Sequence, residues 1–267
     1  MTALVYETTC RSPRFEPGAP HLAGQAHAAA EAGFSAITVD VWTLQAELAS
    51  GRTLGALSGS VELTGMRCAA MAAIRTSDDT TARASAESVL PLISAFRPSV
   101  VVTVVEKEVT EAVAEDLRGA AELLTQHGVR PAIEFIPYGP VATLKSAVDL
   151  AADVGYGTGV CVDSWHFFHA PDGEAWDALG HLRADDIAYV QFDDAQRPPI
   201  SDLAIETRTQ RAIPGDGILD LQRFAAAVRS TGYDGDVGLE ILSGEHHGMS
   251  PESFARRLYQ AARPYWL

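Results

Sequence analysis

Strand-like and helix-like segments alternate along this chain from one end to the other, eight times without a break. Such alternation is typical of parallel strands, because neighbouring parallel strands must be joined by a crossover connection that is usually a helix. The predicted strands are short, apolar and rich in β-branched residues. They are Ala3–Thr8, Ser35–Val41, Met66–Ile74, Ser99–Val105, Pro131–Ile136, Gly159–Asp163, Ile187–Phe192 and Asp236–Ile241.

The segments that connect these strands are predicted to be helices, since their apolar residues recur at helical spacing and several end at glycine. They are His21–Ala32, Leu44–Leu57, Thr80–Ala95, Val109–His127, Pro140–Val154, Glu174–Leu182, Leu219–Ser230 and Pro251–Arg263. Eight such units predict one α/β domain over residues 1–267, a (β/α)8 TIM barrel. An open doubly wound sheet is the alternative, although no Gly-rich phosphate fingerprint follows the first strand. The longest irregular stretch is predicted at Asp193–Gly217.

Composition narrows the classes of partner and compartment. The net charge is −15, and no run of Lys or Arg offers a basic patch, so we expect no nucleic-acid partner. Cys10, Cys68 and Cys161 are far apart and odd in number, which favours buried thiols in a reducing cytoplasm over disulfides. No signal peptide is evident and the apolar runs are of strand length, so no membrane association is predicted.

Oxygen-bearing side chains stand at the ends of four consecutive predicted strands: Glu134, Asp163, Gln191 and Glu240. The active site of a barrel of this kind lies at the C-terminal ends of its strands. Carboxylate and amide oxygens suit Mn²⁺ or Mg²⁺, and three carboxylates this close would repel one another without a cation. One such residue alone is usually a solvated or ion-paired group, but the four together predict a site for one divalent metal ion.

Further candidate site residues follow the predicted strands. His166 lies three residues after Asp163, where it could act as a general base near neutral pH. Arg75, Arg208 and Arg211 are candidate contacts for an anionic group of a substrate, since Arg grips carboxylate or phosphate with two parallel donors.

Two other features have open interpretations. Trp165 is a candidate substrate contact, because it either forms a wall of the pocket or packs in the core. Asp193 and Asp194 are expected to orient the ligands from behind.

On these residues the chain resembles the xylose-isomerase-like TIM barrels, a family of sugar phosphate isomerases, epimerases and related dehydratases. The segments that carry the resemblance span essentially the whole chain. They are Glu134, Asp163–His166, Gln191–Asp194, Arg211–Gly217 and Glu240.

The resemblance implies that Glu134, Asp163, Gln191 and Glu240 bind one divalent metal and that His166 contacts substrate or moves a proton. Many sugar epimerases of the family have histidine where this chain has Gln191, and glutamine there is similar to the 3-dehydroshikimate dehydratase branch.

We therefore predict a metal-dependent isomerase or epimerase that acts on a keto sugar or related polyhydroxy ketone through an enediolate, with His166, Glu134 and Glu240 as catalytic residues. A lyase similar to 3-dehydroshikimate dehydratase is the first alternative. An AP-endonuclease-like nuclease and a non-catalytic barrel are the others, and the negative charge argues against DNA binding. Assembly into a homo-oligomer is left open.

Overall fold

Eight parallel strands close into a barrel in the computed structural model, which describes residues 2–171, 175–196 and 202–267. Together with two short strands outside the barrel, β8 and β9, the strands of the described residues are β1 Ala3–Glu7, β2 Ala36–Asp40, β3 Arg67–Thr76, β4 Val100–Val105, β5 Arg130–Glu134, β6 Gly159–Asp163, β7 Ile187–Gln191, β8 Asp194–Ala195, β9 Arg211–Ala212 and β10 Asp236–Leu239. The barrel follows the order β1-β10-β7-β6-β5-β4-β3-β2, and β8 pairs with β9 in a separate antiparallel sheet. The predicted closed barrel is confirmed, and the open-sheet alternative is wrong.

Helices pack around the outside of the barrel and bury their apolar faces against it. They are α1 Leu22–Ala32, α2 Val41–Ala49, α3 Leu54–Glu62, α4 Ala82–Phe96, α5 Glu111–Gln126, α6 Leu144–Val154, α7 Ser164–His169, α8 Ala175–His181, α9 Leu203–Thr209, α10 Leu221–Ser230 and α11 Pro251–Trp266. Short 3-10 turns lie at Thr8–Arg11, Ala184–Asp186 and Gly244–His246. None of the helices described is long and apolar enough to cross a membrane.

Small and apolar side chains fill the interior of the barrel beneath the C-terminal ends of the strands. Alternate residues of a strand face the same side, so a residue two positions before a strand end lies one layer deeper in the barrel. Ala132, Cys161 and Tyr189 occupy such positions and pack into one buried cluster with Val102. The layer above them contains the residues at the C-terminal ends of the strands, which is where the sequence places the oxygen-bearing side chains.

Two predicted elements differ from the structure, and part of a third lies outside the described residues. The single helix predicted at Leu44–Leu57 is two helices, α2 and α3, because Gly51 between them takes a left-handed backbone with φ of 92°. Within the described residues, the helix predicted at Glu174–Leu182 is present as α8 Ala175–His181, and Glu174 lies outside them. The stretch predicted as irregular, Asp193–Gly217, contains β8, α9 and β9, and its residues 197–201 lie outside the described part.

Candidate active site and metal centre

A cavity of about 330 Å³ opens at the C-terminal end of the barrel. Its deep end, as we call it, is formed by buried polar side chains: Glu134, His166, Gln191, Arg211 and Glu240. Its outer part, which we call the rim, is formed by side chains that reach solvent or lie just below it: Arg14, Trp42, Arg75, Tyr138 and Arg208. The cavity therefore has an acidic, enclosed end and an aromatic, arginine-containing mouth.

Strand register explains why the predicted ligands meet at the deep end. Asp163 pairs with Gln191 across β6 and β7, and Gly238 of β10 pairs with Gln191 from the other side. Glu240 lies two residues after Gly238, so it faces the same side one layer higher. Glu134 ends β5 next to β6. Four neighbouring strands thus bring the four predicted ligands to one wall of the barrel.

Glu134, Asp163 and His166 form the tightest part of this group. Each offers one ligand atom, and the three atoms lie within 4.8 Å of one another. His166 Nε2 lies 3.2 Å from Glu134 Oε1. The backbone of His166 donates to Asp163 Oδ1 at 2.8 Å, because Asp163 caps the N-terminus of α7. One carboxylate thus positions both the helix and the histidine on it.

His166 is placed where it could exchange a proton. Its Nε2 could donate to Glu134 or accept from Arg211 Nη2, which lies 3.4 Å away. Its Nδ1 has no hydrogen-bond partner in the part of the chain that the structure describes. Either tautomer therefore finds a partner at Nε2, as a group that moves a proton requires.

Arg211 is buried inside the carboxylate cluster. Its Nη1 donates to Asp163 Oδ2 at 2.6 Å and to Asp193, and lies 3.4 Å from Glu240 Oε2. Its Nη2 donates to Thr207 of α9 at 2.9 Å. Although Arg211 also lines the cavity, most of its donors are engaged by the protein, so it acts here as an internal counterion.

Asp194 fixes the segment after Arg211 through hydrogen bonds to its backbone. The two carboxylate oxygens of Asp194 accept hydrogen bonds from the backbone of Gly215 at 3.1 Å, Gly217 at 3.0 Å and Leu219 at 2.9 Å. One side chain of β8 thus fixes the turn that follows β9. Arg211 itself pairs with Ala195 across β8 and β9.

Glu7, at the end of β1, was missed by the sequence analysis. It is fully buried, accepts from the Tyr189 hydroxyl at 3.0 Å and from Gln191 Nε2 at 3.3 Å, and fills space left by Gly238. A Cβ on Gly238 would lie 1.9 Å from Glu7 Oε1. The same strand-end rule would have found Glu7, had it been applied to the first strand as well.

Gln191 is held by its two neighbours in one orientation. Its Nε2 faces Glu7, and its Oε1 accepts from the Cys161 thiol at 3.2 Å. The opposite amide orientation would set an oxygen against the Glu7 carboxylate, which is unfavourable unless that acid is protonated. Gln191 lines the cavity, and its role as a metal ligand stays a prediction.

The buried acids have strongly shifted protonation. Burial raises the pKa of Glu7 to about 8, with the charges of Glu134 and Asp163 adding to the shift. Burial also raises the pKa of Asp193 to about 7 and that of Glu240 well above its usual range. Asp163 differs. Burial is the largest influence and raises its pKa, but the charges of Arg211 and His166 and the hydrogen bonds from both residues together outweigh burial, so the pKa of that carboxyl is lowered.

This donor set fits a hard divalent cation. Five buried carboxylates surround the deep end, and Arg211 is the guanidinium buried among them. The carboxylates are those of Glu7, Glu134, Asp163, Asp193 and Glu240. The side-chain oxygens of Glu134, Asp163, Gln191 and Glu240 suit Mg²⁺ or Mn²⁺. Burial, with the neighbouring carboxylate charges adding to it, raises the pKa of Glu7 and Glu240, so a cation among these acids would be favourable.

The remaining predicted contacts lie in different surroundings. Arg75 and Arg208 line the rim, and Arg75 pairs with Glu106. Trp165 is fully buried outside the lining formed by the described residues, and its ring stacks on His169 with centroids 3.9 Å apart. The structure therefore places Trp165 behind His166 as packing rather than in the pocket wall.

Comparison with known proteins gives the context of this site. A family model described as xylose isomerase-like TIM barrel matches residues 26–260. Inosose isomerase from Bacillus velezensis is 29% identical over 152 residues, which cover 56% of this chain and 52% of that protein. 3-Dehydroshikimate dehydratase from Pseudomonas aeruginosa is 33% identical over 133 residues, 49% of this chain and 20% of that protein.

The chain thus spans about half the length of the inosose isomerase and a fifth of that dehydratase. The solved structure of the IolI protein with a bound zinc atom superposes with a TM-score of 0.84 at 17% identity, over 98% of this chain and 97% of that one. At this identity the likeness supports the fold alone. The family model extends over most of the sequence and agrees with the closed barrel, and the chain belongs to the xylose isomerase-like TIM barrel family.

Proposed function

We propose that this protein is a divalent-metal-dependent isomerase or epimerase that acts on a keto sugar or related polyhydroxy ketone through an enediolate. The observation that carries the proposal is the meeting of Glu134, Asp163 and His166, whose ligand atoms lie within 4.8 Å of one another at the deep end of a cavity lined by Glu134, His166, Gln191 and Glu240. Mn²⁺ and Mg²⁺ are the ions that an all-oxygen ligand set favours. The inosose isomerases among its relatives support the substrate class.

Glu134, Asp163, Gln191 and Glu240 would hold the ion, which when bound supplies Lewis acidity toward a carbonyl and its neighbouring hydroxyl. The chain's own part is proton transfer and positioning. His166 Nε2, 3.2 Å from Glu134, would remove the proton next to the carbonyl, and Glu134 would stabilise the imidazolium that forms. Return of the proton to the other face of the same carbon gives epimerisation, and return to the neighbouring carbon gives isomerisation.

Either Glu134 or Glu240 could serve as the second proton-transfer group. Both carboxylates line the cavity together with His166, so either one could carry a proton to or from an enediolate. The enclosure of the deep end would exclude bulk water from the intermediate.

A dehydratase is the second candidate. Loss of a β-hydroxyl from the same enediolate gives dehydration, so the same residues would serve both reactions. Similarity to a 3-dehydroshikimate dehydratase and the glutamine at position 191 favour this candidate.

The test is a turnover screen with ketoses, inososes and 3-dehydroshikimate, using the protein stripped with EDTA and then reloaded with Mn²⁺ or Mg²⁺. We expect the loaded protein to contain close to one ion per chain and to turn over one of these substrate classes. The stripped protein should turn over none of them. Replacing Glu122, an exposed glutamate on α5, with Gln is the matched control and should change nothing. Full turnover after exhaustive chelation would contradict the proposal.

A further inference from the structure

We propose that Arg14, Arg75 and Arg208 form an oxyanion-binding subsite at the rim, and that the substrate carries a carboxylate or phosphate group at the end away from its reacting carbons. This inference rests on the proposed function and narrows its substrate class. It separates anionic substrates from the neutral ketoses and inososes that the deep end alone would accept.

The three arginines converge from separate parts of the fold. Arg14 follows the 3-10 turn after β1, Arg75 lies near the end of β3, and Arg208 lies on α9, yet all three line the same cavity. Two of them make cation–π contacts with the Trp42 ring, whose centroid lies 4.5 Å from Arg14 Cζ and 5.3 Å from Arg75 Cζ. Stacking on an aromatic ring leaves the edge of a guanidinium available for an anion and reduces its freedom before binding.

Positive charge at the rim is in excess. Arg75 pairs with Glu106, whereas Arg14 and Arg208 form no ion pair at contact distance within residues 2–171, 175–196 and 202–267. Arg75 Nε is also buried without a hydrogen-bond partner in that part of the chain. Burial, together with the charges of Arg75 and Arg208, lowers the pKa of Arg14 although Glu106 acts in the opposite sense, which indicates that Arg75 and Arg208 both repel Arg14. An oxyanion bound among them would relieve this repulsion.

The placement is unusual for this chain, whose net charge is −15. Cations concentrated at the mouth of an acidic cavity create a potential that reverses from the rim to the deep end. A ligand with one anionic end would therefore enter with that end at the rim. Its ketone and hydroxyl groups would then point toward Glu134 and Glu240.

Binding of matched ligand pairs tests the subsite without relying on turnover. The phosphate pair is D-ribulose 5-phosphate and D-ribulose, the carboxylate pair is 3-dehydroshikimate and its methyl ester, and inorganic phosphate serves as a minimal probe. Affinities are measured by calorimetry at low ionic strength, because salt screens exposed charges. We expect the charged member of at least one pair to bind about 10-fold or more tightly than its neutral partner, the gain of a charge-assisted hydrogen bond. The pair that responds identifies carboxylate or phosphate as the source of the oxyanion.

Single substitutions locate the effect. Arg14→Gln and Arg208→Gln should each lower affinity for the charged ligand about 10-fold and leave affinity for its neutral partner unchanged. Arg256→Gln, an exposed position on α11, is the matched control and should have no effect. Arg14 and Arg208 are both exposed, so loss of folding is not expected in these two variants, and a circular dichroism spectrum checks this.

Equal affinity within both pairs, unchanged affinity in both rim variants, or no binding of any charged probe up to about 10 mM would overturn the inference. The same titrations are run on the EDTA-treated and the metal-loaded protein. Failure of the proposed function appears as turnover that does not depend on metal. Failure of the subsite appears as loss of charge discrimination, so the two failures are distinguishable.

Discussion

The two ends of the cavity are built by opposite means. The deep end is made of buried side chains. Glu134, Gln191 and Glu240 stand at the ends of neighbouring barrel strands, and His166 and Arg211 are held beside them by hydrogen bonds and ion pairs. The rim contains three arginines that come from a loop, a strand end and a short helix, and two of them, Arg14 and Arg75, contact the ring of Trp42. The difference suggests that chemistry is determined by the barrel itself, whereas recognition is determined by connections that vary without disturbing it.

The largest effect should come from removing a predicted ligand carboxylate at the deep end. Glu134→Gln and Glu240→Gln should each lower turnover by orders of magnitude, since both side chains line the cavity and neither packs in the barrel core. Steady-state kinetics and a thermal melt of each variant provide the measurement. Near-normal turnover in either variant would remove that residue from the set.

His166→Ala should lower kcat by roughly 10²–10⁴-fold, the usual size of a general acid–base contribution. Because His166 is proposed to move a proton rather than bind the ion, metal content measured by elemental analysis should stay close to that of the parent protein. A variant that loses its metal would instead show that the histidine is a ligand, consistent with its position beside Glu134 and Asp163.

Gln191 provides an intermediate test, because it connects the ion site to Glu7. Gln191→Leu should weaken metal affinity at least about 10-fold, since even groups behind a ligand contribute that much. Gln191→His should still bind metal, because imidazole also ligates divalent ions. Competition with a chelating dye measures both affinities, and unchanged binding in the Leu variant would contradict the four-ligand hypothesis.

The smallest effect concerns stability. The pKa of Glu7 is about 8 in the folded, metal-free protein against 4.5 for an ordinary glutamate, and that of Asp193 is also raised, to about 7. The folded state therefore binds more protons than the unfolded state between these values, so the stability that neutral Glu7 contributes is present at pH 5 and is lost as pH rises through 8. The lowered pKa of Asp163 acts in the opposite sense, but only at acidic pH.

Urea unfolding of the EDTA-treated protein at pH 5 and at pH 8.5 measures this dependence. The midpoint should fall with rising pH, and Glu7→Gln should make the fall shallower, because a neutral amide replaces the protonated acid. The Glu122→Gln control should retain the parental slope. A midpoint that rises over this range would show that Glu7 is ionised in the folded protein.

Much of the fold could be predicted from sequence, because alternation and buried valines determine a parallel barrel almost alone. Helix limits were less predictable: Gly51 divides one predicted helix, a local backbone preference that periodicity does not reveal. The order in the segment after β7 was not predicted. The contacts that order it join residues far apart in sequence, such as Asp194 and the backbone of Gly217, and local sequence patterns do not reveal such contacts.

The candidate site was predictable where its residues stand at the C-terminal ends of strands and their side chains alternate in direction along each strand. Glu134, Asp163, Gln191 and Glu240 all line or adjoin one cavity for that reason, although their roles stay predictions. Arg14 lies in an irregular segment and offers no such rule. The sequence also does not show which way a long side chain points. Arg211 was predicted to contact substrate; in the structure it lines the cavity but is paired with buried carboxylates.

The position of Arg211 bears on the order in which the protein is assembled. A barrel with several acids facing one another cannot form easily while they are charged, yet this chain provides a covalently attached cation for them. Folding would then be complete before any metal arrives, unlike small zinc domains that are unfolded without their ion. On the metal dependence proposed above, an ion could be loaded, lost and replaced in a preformed barrel, and metal supply would then regulate activity without regulating the amount of folded protein.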